Sequence, residues 1–277
     1  MLVDTHCHLD FPQFDADREA TLRRAREAGV EIIVNPGTDL ESSRRAVALA
    51  RRYPEVYAAV GVHPHAASGL DAATLAALRA LARHPKVVAV GEIGLDYYRN
   101  LSPRHRQVEA FRRQLDLAAE LGKPVIIHDR DAHEEVARLL EEWALARRDG
   151  GEGEAAGVLH AFSGGQALAE AGFRWGFLVA LGGPLTFQNA RRLQGLAQAL
   201  PLKHVVLETD APYLSPHPYR GQRNEPARVA LVAEALAGLH GLPLTEVARQ
   251  TTGNARRLFR ILDDRNEHVC NGSHSDG

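Results

Sequence analysis

A chain of 277 residues, 45% hydrophobic and 25% charged, has the composition of a folded globular protein and the length of one large α/β barrel. Its mean hydropathy is -0.25 and no apolar run approaches the roughly 20 residues of a membrane-spanning helix, so no membrane partner is expected. A formal net charge of -2 gives no general attraction for nucleic acid, although a local basic rim could still hold phosphates. The only cysteines are Cys7 and Cys270, which excludes a disulfide framework. The opening MLVDTHCHLDF places acidic and His residues where a secretion signal has a basic start and an apolar stretch, so a cytoplasmic location is expected.

Short apolar, β-branched segments recur along the chain: Leu2–Asp4, Ile32–Asn35, Val56–Val62, Val87–Glu92, Pro124–His128, Gly157–His160, Phe177–Gly182 and Val205–Asp210. They predict eight strands. Ala-, Leu- and Arg-rich stretches with helical periodicity lie between them. The clearest has Ser102 as its N-cap and Pro103 as its first residue, presents Val108, Phe111, Leu115, Ala118 and Leu121 on one face, and stops at Gly122. Alternating strands and amphipathic helices give a closed parallel barrel or a doubly wound open sheet, and periodicity does not separate the two. A surface loop is expected at 147–156, and a disordered polar tail at 263–277 beyond one barrel domain at 1–262. The helix holding Asn254 and Arg256 to Phe259 is expected to pack against the barrel.

The His and acidic residues fall at the carboxyl ends of these strands. His6 and His8 follow the first, His63 follows the third, Glu92 closes the fourth, His128 the fifth, His160 the sixth and Asp210 the eighth. In a parallel barrel all such ends share the catalytic rim. Residues two apart in an extended chain point the same way, so His6 and His8 can share one ion while Cys7 faces away and packs as a small apolar residue. Six donors exceed the three that one catalytic ion usually takes from the protein. Two divalent ions follow, with Glu92 as the bridge because a carboxylate can bridge and an imidazole nitrogen cannot. His6, His8 and Asp210 then serve one ion and His128 and His160 the other. Mixed imidazole and carboxylate donors suit Zn²⁺, Mn²⁺, Co²⁺ or Ni²⁺ better than Mg²⁺, and the expected pair of ions is Mg²⁺, Mn²⁺ or Zn²⁺. Two ions clamp the attacking and leaving oxygens of an in-line displacement, which favours phosphoester cleavage by an activated water, with Glu92 and Asp210 as the catalytic carboxylates.

The motifs DTHCHLDF at 4, GVHPH at 61, GEIGLDYYR at 91, KPVIIHDRDA at 123, LHAFSG at 159, LETDAPYLSP at 207, RNEP at 223 and TTGNARRLF at 251 cover all but the tail. Together they resemble the TatD family of metal-dependent deoxyribonucleases, among the amidohydrolase-like barrels. The resemblance implies a (β/α)₈ TIM barrel, metal ligation by His6, His8, Glu92, His128, His160 and Asp210, and cleavage of DNA from the 3′ end. No strand ends in the lysine that other barrel relatives carbamylate; Glu92 stands in that place, and a carboxylate bridge needs no modification.

Candidate substrate contacts lie around this set. His63 and His65 sit where a cationic or hydrogen-bonding group could hold a phosphate. Arg130, Arg220, Arg223 and Asn224 are candidates for phosphate or sugar, against the plainer reading of solvation and loop capping. Tyr97 and Tyr98 could stack on a base or close the barrel mouth, and Glu225 is expected to order its loop. The expected activity is a 3′–5′ exodeoxyribonuclease acting on single-stranded DNA or 3′ ends, by a monomer or weak oligomer. The rivals are a lactone or cyclic-amide hydrolase on the same scaffold, and a non-catalytic barrel stabilised by metal.

Overall fold

Parallel strands that are buried on both faces need helices outside and side chains inside, and this division governs the architecture. The computed structural model describes residues 1–146 and 155–262; the predicted tail, and all of the predicted loop but Ala155 and Ala156, lie outside the described residues. The strands are β1 (Leu2–Asp4), β2 (Val30–Pro36), β3 (Val56–Val60), β4 (Val87–Asp96), β5 (Val125–Arg130), β6 (Gly157–Leu159), β7 (Phe177–Leu181) and β8 (Val205–Leu207). They pair in sequence order, all parallel. Around them run α1 (Arg18–Glu27), α2 (Leu40–Arg52), α3 (Ala72–Leu81), α4 (Arg104–Leu121), α5 (His133–Ala146), α6 (Gln166–Arg174), α7 (Arg191–Ala199), α8 (Val229–His240) and α9 (Leu244–Phe259). The ambiguity between barrel and open sheet is thereby resolved in favour of the TIM barrel.

The period-two alternation of the strands sorts the core into two clusters. Val3, Ile32, Val34, Ala59, Ile126, Val158, Leu178, Ala180 and Val206 fill the barrel interior. Ala255, Leu258, Phe259 and Ile261, from α9 and the residues after it, join this cluster, so the last helix packs on the barrel as its sequence predicts. The intervening residues, among them Leu2, Ile33, Val60, Val125, Ile127, Leu159, Val179 and Leu207, face the helices. Extending the inward parity two residues further reaches His128 from Ile126, His160 from Val158 and Glu208 from Val206. Side chains that fill the barrel thus give way to side chains that build a site.

The β8–β1 seam closes largely through groups beyond the short strands themselves. Thr5 donates to Leu207 O from both its backbone N–H and its hydroxyl at 3.0 Å. Asp210 N–H donates to His6 O at 2.9 Å and His8 N–H to Ala211 O at 2.8 Å. Buried Asp4 accepts from Thr209 N–H at 2.9 Å and from the Thr209 hydroxyl at 2.6 Å. Burial pushes the Asp4 carboxyl up to about 8, against the lowering effect of those hydrogen bonds. Cys7 is buried in a parallel bridge to Ala211, and burial pushes its thiol up as well, which matches an apolar packing role and not a thiolate.

Helix α4 begins one residue later than its sequence suggests. Pro103 occupies the N-cap position, and Gly122 ends the helix at φ 60. Ser102 does not cap: its hydroxyl donates to His65 O at 2.9 Å and accepts from Ser68 N–H at 3.2 Å, tying the β3 loop down. Between β4 and β5, Gly94 adopts φ +144, and a Cβ there would lie 1.9 Å from His128 O. Only glycine permits the two strands to approach this closely.

Asp4→Ala is expected to strand the Thr209 N–H and hydroxyl in the seam, a loss of about 2–3 kcal/mol. Urea unfolding measures it, and a change below about 0.5 kcal/mol would show that the seam does not depend on this carboxylate.

Candidate metal centre

Five strands carry the six predicted ligands to the carboxyl rim, His6 and His8 sharing β1, and four donor atoms converge. His6 Nε2 and His8 Nε2 lie 3.2 Å apart. Glu92 Oε2 is 3.4 Å from the first and 3.7 Å from the second; Asp210 Oδ1 is 3.8 and 3.6 Å from them. A tetrahedral ion with donors at about 2.1 Å sets those donors about 3.4 Å apart, so this quartet has the dimensions of a coordination shell. Asp210 reaches it from a left-handed backbone at φ 54, a conformation that Asp tolerates better than most residues.

The other Glu92 oxygen faces a second set. Oε1 lies 2.8 Å from His128 Nδ1, 3.5 Å from His63 Nε2 and 3.7 Å from His160 Nε2. The first distance is that of a hydrogen bond, shorter than two donors on one ion would keep. Glu92 therefore touches both clusters with a different oxygen each. Burial alone would raise its pKa, but His63, His6 and His160 around it and a hydrogen bond from His128 hold it well below the usual range. Asp210 is lowered in the same way, burial being outweighed by His8 and the neighbouring imidazoles.

The donor chemistry fits a cation. Burial opposes charge on His128, yet hydrogen bonds to Asp96 and Glu92 push it up to about 9. His160 is driven up to about 10 against burial by Glu208 and Glu92. Burial lowers His6, but the raised His8, His128 and His160 mark a place short of positive charge, which a divalent ion would supply while leaving the rings neutral. His6, His8 and Glu92, with Asp210 beside them, could hold one ion; Glu92 and His128 converge with His63 at a second place, and His160 Nε2 stands 3.7 Å from the same Glu92 oxygen.

The tautomers divide the remaining work. His160 Nδ1 is 2.9 Å from Glu208 Oε2, an arrangement that puts the ring proton on Nδ1 and leaves Nε2 free as a ligand. His63 is set the other way round. Its Nδ1 accepts from the His65 backbone N–H at 3.1 Å, so the proton sits on Nε2 and faces the Glu92 side of the site. Burial lowers the His63 pKa to about 3 and keeps it neutral. His63 is thus brought into the second cluster, where it is suited to donate a hydrogen bond.

Three carboxylates in this shell escape the sequence reading. Glu208 accepts from His160 and, at 2.7 Å, from Ala161 N–H. Asp96 bridges His65 Nε2 at 2.7 Å and His128 Nε2 at 3.3 Å. Asp4 touches His6 N–H at 3.3 Å as well as Thr209. Glu208 had a signal, since it lies two residues past the inward Val206 and two before Asp210.

A cavity of about 720 Å³ opens over the donors, and His63, His65 and Arg130 are among its lining residues. Arg220, Arg223 and Asn224 do not line it, so the structure assigns them other contacts than those predicted. Arg220 lies over the Phe187 ring at 4.1 Å. Arg223 donates to both Asp17 oxygens at 2.6 and 2.8 Å and to Gln13 O at 2.7 Å. Asn224 is fully buried and donates to Thr209 O at 2.9 Å, bracing the seam instead of meeting substrate. Glu225 grips Arg24 of α1 through three contacts of 2.6 to 3.0 Å, which orders the loop as foreseen. Tyr97 packs against the core, its hydroxyl bonded to Glu135 and Arg104 lying over its ring, and does not line the cavity, whereas Tyr98 is exposed beneath Arg130.

Glu208→Gln is expected to preserve the fold while weakening ion binding about 10- to 100-fold, because the His160 tautomer loses its anionic partner. Calorimetric titration with Mn²⁺ or Zn²⁺ measures this, and unchanged affinity would remove Glu208 from the site. A second expectation concerns the Arg223 tether. Hydrogen bonds from Arg223 lower Asp17 to about 2. A depressed carboxylate pKa adds stability above its ordinary pKa that fades as pH falls through the folded value. With the Asp17 side chain 35% exposed, Asp17→Asn should cost no more than about 1 kcal/mol at pH 7, and the difference from the parent should vanish near pH 2. Denaturant melts across that range give the result.

The sequence profile of the family described as TatD related DNase matches residues 3–260. A Bacillus subtilis protein named uncharacterized metal-dependent hydrolase YabD is 42% identical over 261 residues, which cover 94% of this chain and all of that one. A protein of Erwinia tasmaniensis named 3′-5′ ssDNA/RNA exonuclease TatD is 38% identical over 266 residues, 94% of this chain and 100% of its own. The crystal structure of YjjV, a TatD homologue from Escherichia coli, superimposes with a TM-score of 0.87 at 38% identity, covering 94% of this chain and 98% of its own. With a converging His and carboxylate centre at the rim of a parallel barrel and likeness along nearly its whole length, this chain belongs to the TatD family of metal-dependent hydrolases.

Proposed function

We propose that this chain is a two-metal phosphodiesterase that removes nucleotides from the 3′ end of single-stranded nucleic acid. The observation that carries the reading is the Glu92 carboxylate, whose two oxygens face two separate donor sets. Divalent ions bound there would supply Lewis-acid activation of the phosphodiester and of the attacking water. The protein's own part is positioning and charge. Glu92 remains ionised between the two sets, and His160 is fixed by Glu208 so that its free nitrogen faces Glu92. Asp210 serves as donor and proton acceptor. The His63 Nε2–H, neutral and preset by the His65 backbone, donates to a non-bridging phosphate oxygen.

Support for a nucleic-acid substrate comes from the rim and from kinship. Arg99 and Arg130 line the cavity, offering cationic contacts despite the net charge of -2. The Erwinia relative, 38% identical, carries the name of a 3′-5′ ssDNA/RNA exonuclease. The same cavity is open and edged by arginines, which suits a phosphodiester strand better than a small lactone or cyclic amide.

Chelation is expected to abolish cleavage of a 3′-labelled single-stranded oligonucleotide, and added Mn²⁺ to restore it. Glu92→Ala should lower kcat more than about a hundredfold. A panel containing a lactone and a cyclic amide runs beside it. Turnover of either in place of DNA, or full activity in the Glu92→Ala protein, would overturn the proposal.

A further inference from the structure

The mouth of the cavity is lopsided. In a barrel of strand order one to eight, the loops after β8 and β1 stand across from those after β4 and β5. On the first side the lining is aromatic and apolar. The Phe11 ring stacks on the His8 ring at 4.5 Å and 16°, and Tyr213 meets Phe11 edge-on at 6.2 Å and 75°. Tyr213 is 50% exposed and Leu214 41%, although both line the cavity. Apolar surface left open beside a functional cleft points to a ligand that covers it. On the far side Arg99 and Arg130 carry positive charge beside the exposed aliphatic Leu101, with no Phe, Tyr or Trp among the described side chains that line it there, and Arg130 lies 4.5 Å over the Tyr98 ring.

Resting on the phosphodiesterase reading, we infer that Tyr213, seated on Phe11, is the platform for the base of the terminal nucleotide, while Arg99 and Arg130 hold the phosphates upstream of the scissile bond. The scissile phosphorus must sit at Glu92, between the two walls. The nucleoside on one side of that phosphorus then meets a π surface, and the strand on the other side meets guanidinium groups. Stacking on an aromatic ring tolerates every base, since each has a π face. It also selects for unpaired ends. A base inside a duplex already spends its faces on its neighbours, so only a frayed or single-stranded terminus can settle on Tyr213.

The test uses the metal-loaded full chain and two single-stranded oligonucleotides of one sequence, one ending in adenosine and the other in an abasic nucleotide. The readout is the ratio of their kcat/KM values, which a merely structural role would not move. The parent protein should favour the adenosine end about tenfold. Tyr213→Ala should bring the ratio close to one and Tyr213→Phe should keep it. Tyr213→Leu retains apolar bulk without a π face, so it should lose the preference even where the alanine variant folds poorly. Arg130→Ala should weaken both substrates alike and reduce the salt slope of binding by about 0.7. A parent ratio near one, or a preference that survives in Tyr213→Leu, overturns the platform. Failure of the parent protein to cut either oligonucleotide overturns the phosphodiesterase reading itself, and the platform falls with it.

Discussion

Everything at the catalytic rim depends on how the eighth strand meets the first. Named strand residues reach only Asp4 on one side and Leu207 on the other, so the ring is completed by the segments that follow them. Those segments hold His6, His8 and Asp210. The hydrogen bonds that close the barrel, Asp210 N–H to His6 O and His8 N–H to Ala211 O, are therefore also the ones that set three candidate metal donors face to face. Asp4, Thr209 and Asn224 stand directly beneath as a buried polar brace, with each polar group meeting another. A barrel that opened here would part the His6, His8 and Asp210 side chains in the same event.

The second constraint is electrostatic. Glu92 is buried among imidazoles, and its charge survives there only because those rings and their protons compensate it. Removing one partner from such a cluster leaves another without its counter-charge, which explains why the supporting carboxylates are so numerous. Glu208 and Asp96 each anchor a histidine through the ring nitrogen opposite the one that faces Glu92. Orientation is thus built from behind, and the donors need little rearrangement to accept an ion.

Much of this was legible in the chain. Eight apolar segments, each followed by an amphipathic stretch, gave strand number and order, and the polar residues at their ends pointed to one rim. The THCH spacing predicted a shared pair, and Cys7 was expected to pack away from it, as it does. Less visible were residues whose role lies in contacts distant along the chain. Asn224 reads as a loop amide near basic residues, yet it is buried against Thr209, and Arg223 turns toward Asp17, 206 positions earlier. Ser102 before a proline reads as a helix cap, yet its hydroxyl is taken by the β3 loop.

The sequence by itself determined the alternation of elements, the gathering of His and acidic residues at the strand ends and the family, because local period and motif spacing are properties of the chain. Tertiary structure alone decided that the sheet closes, that Glu92 offers one oxygen to each donor set, and which ring nitrogen of His63 and His160 carries the proton. Those depend on the packing of segments remote in sequence: a tautomer is set by whatever lies beside the opposite nitrogen, and a bridge exists only when two faces of one carboxylate are both occupied. No pattern along the chain encodes such angles. They emerge when the eighth strand docks on the first.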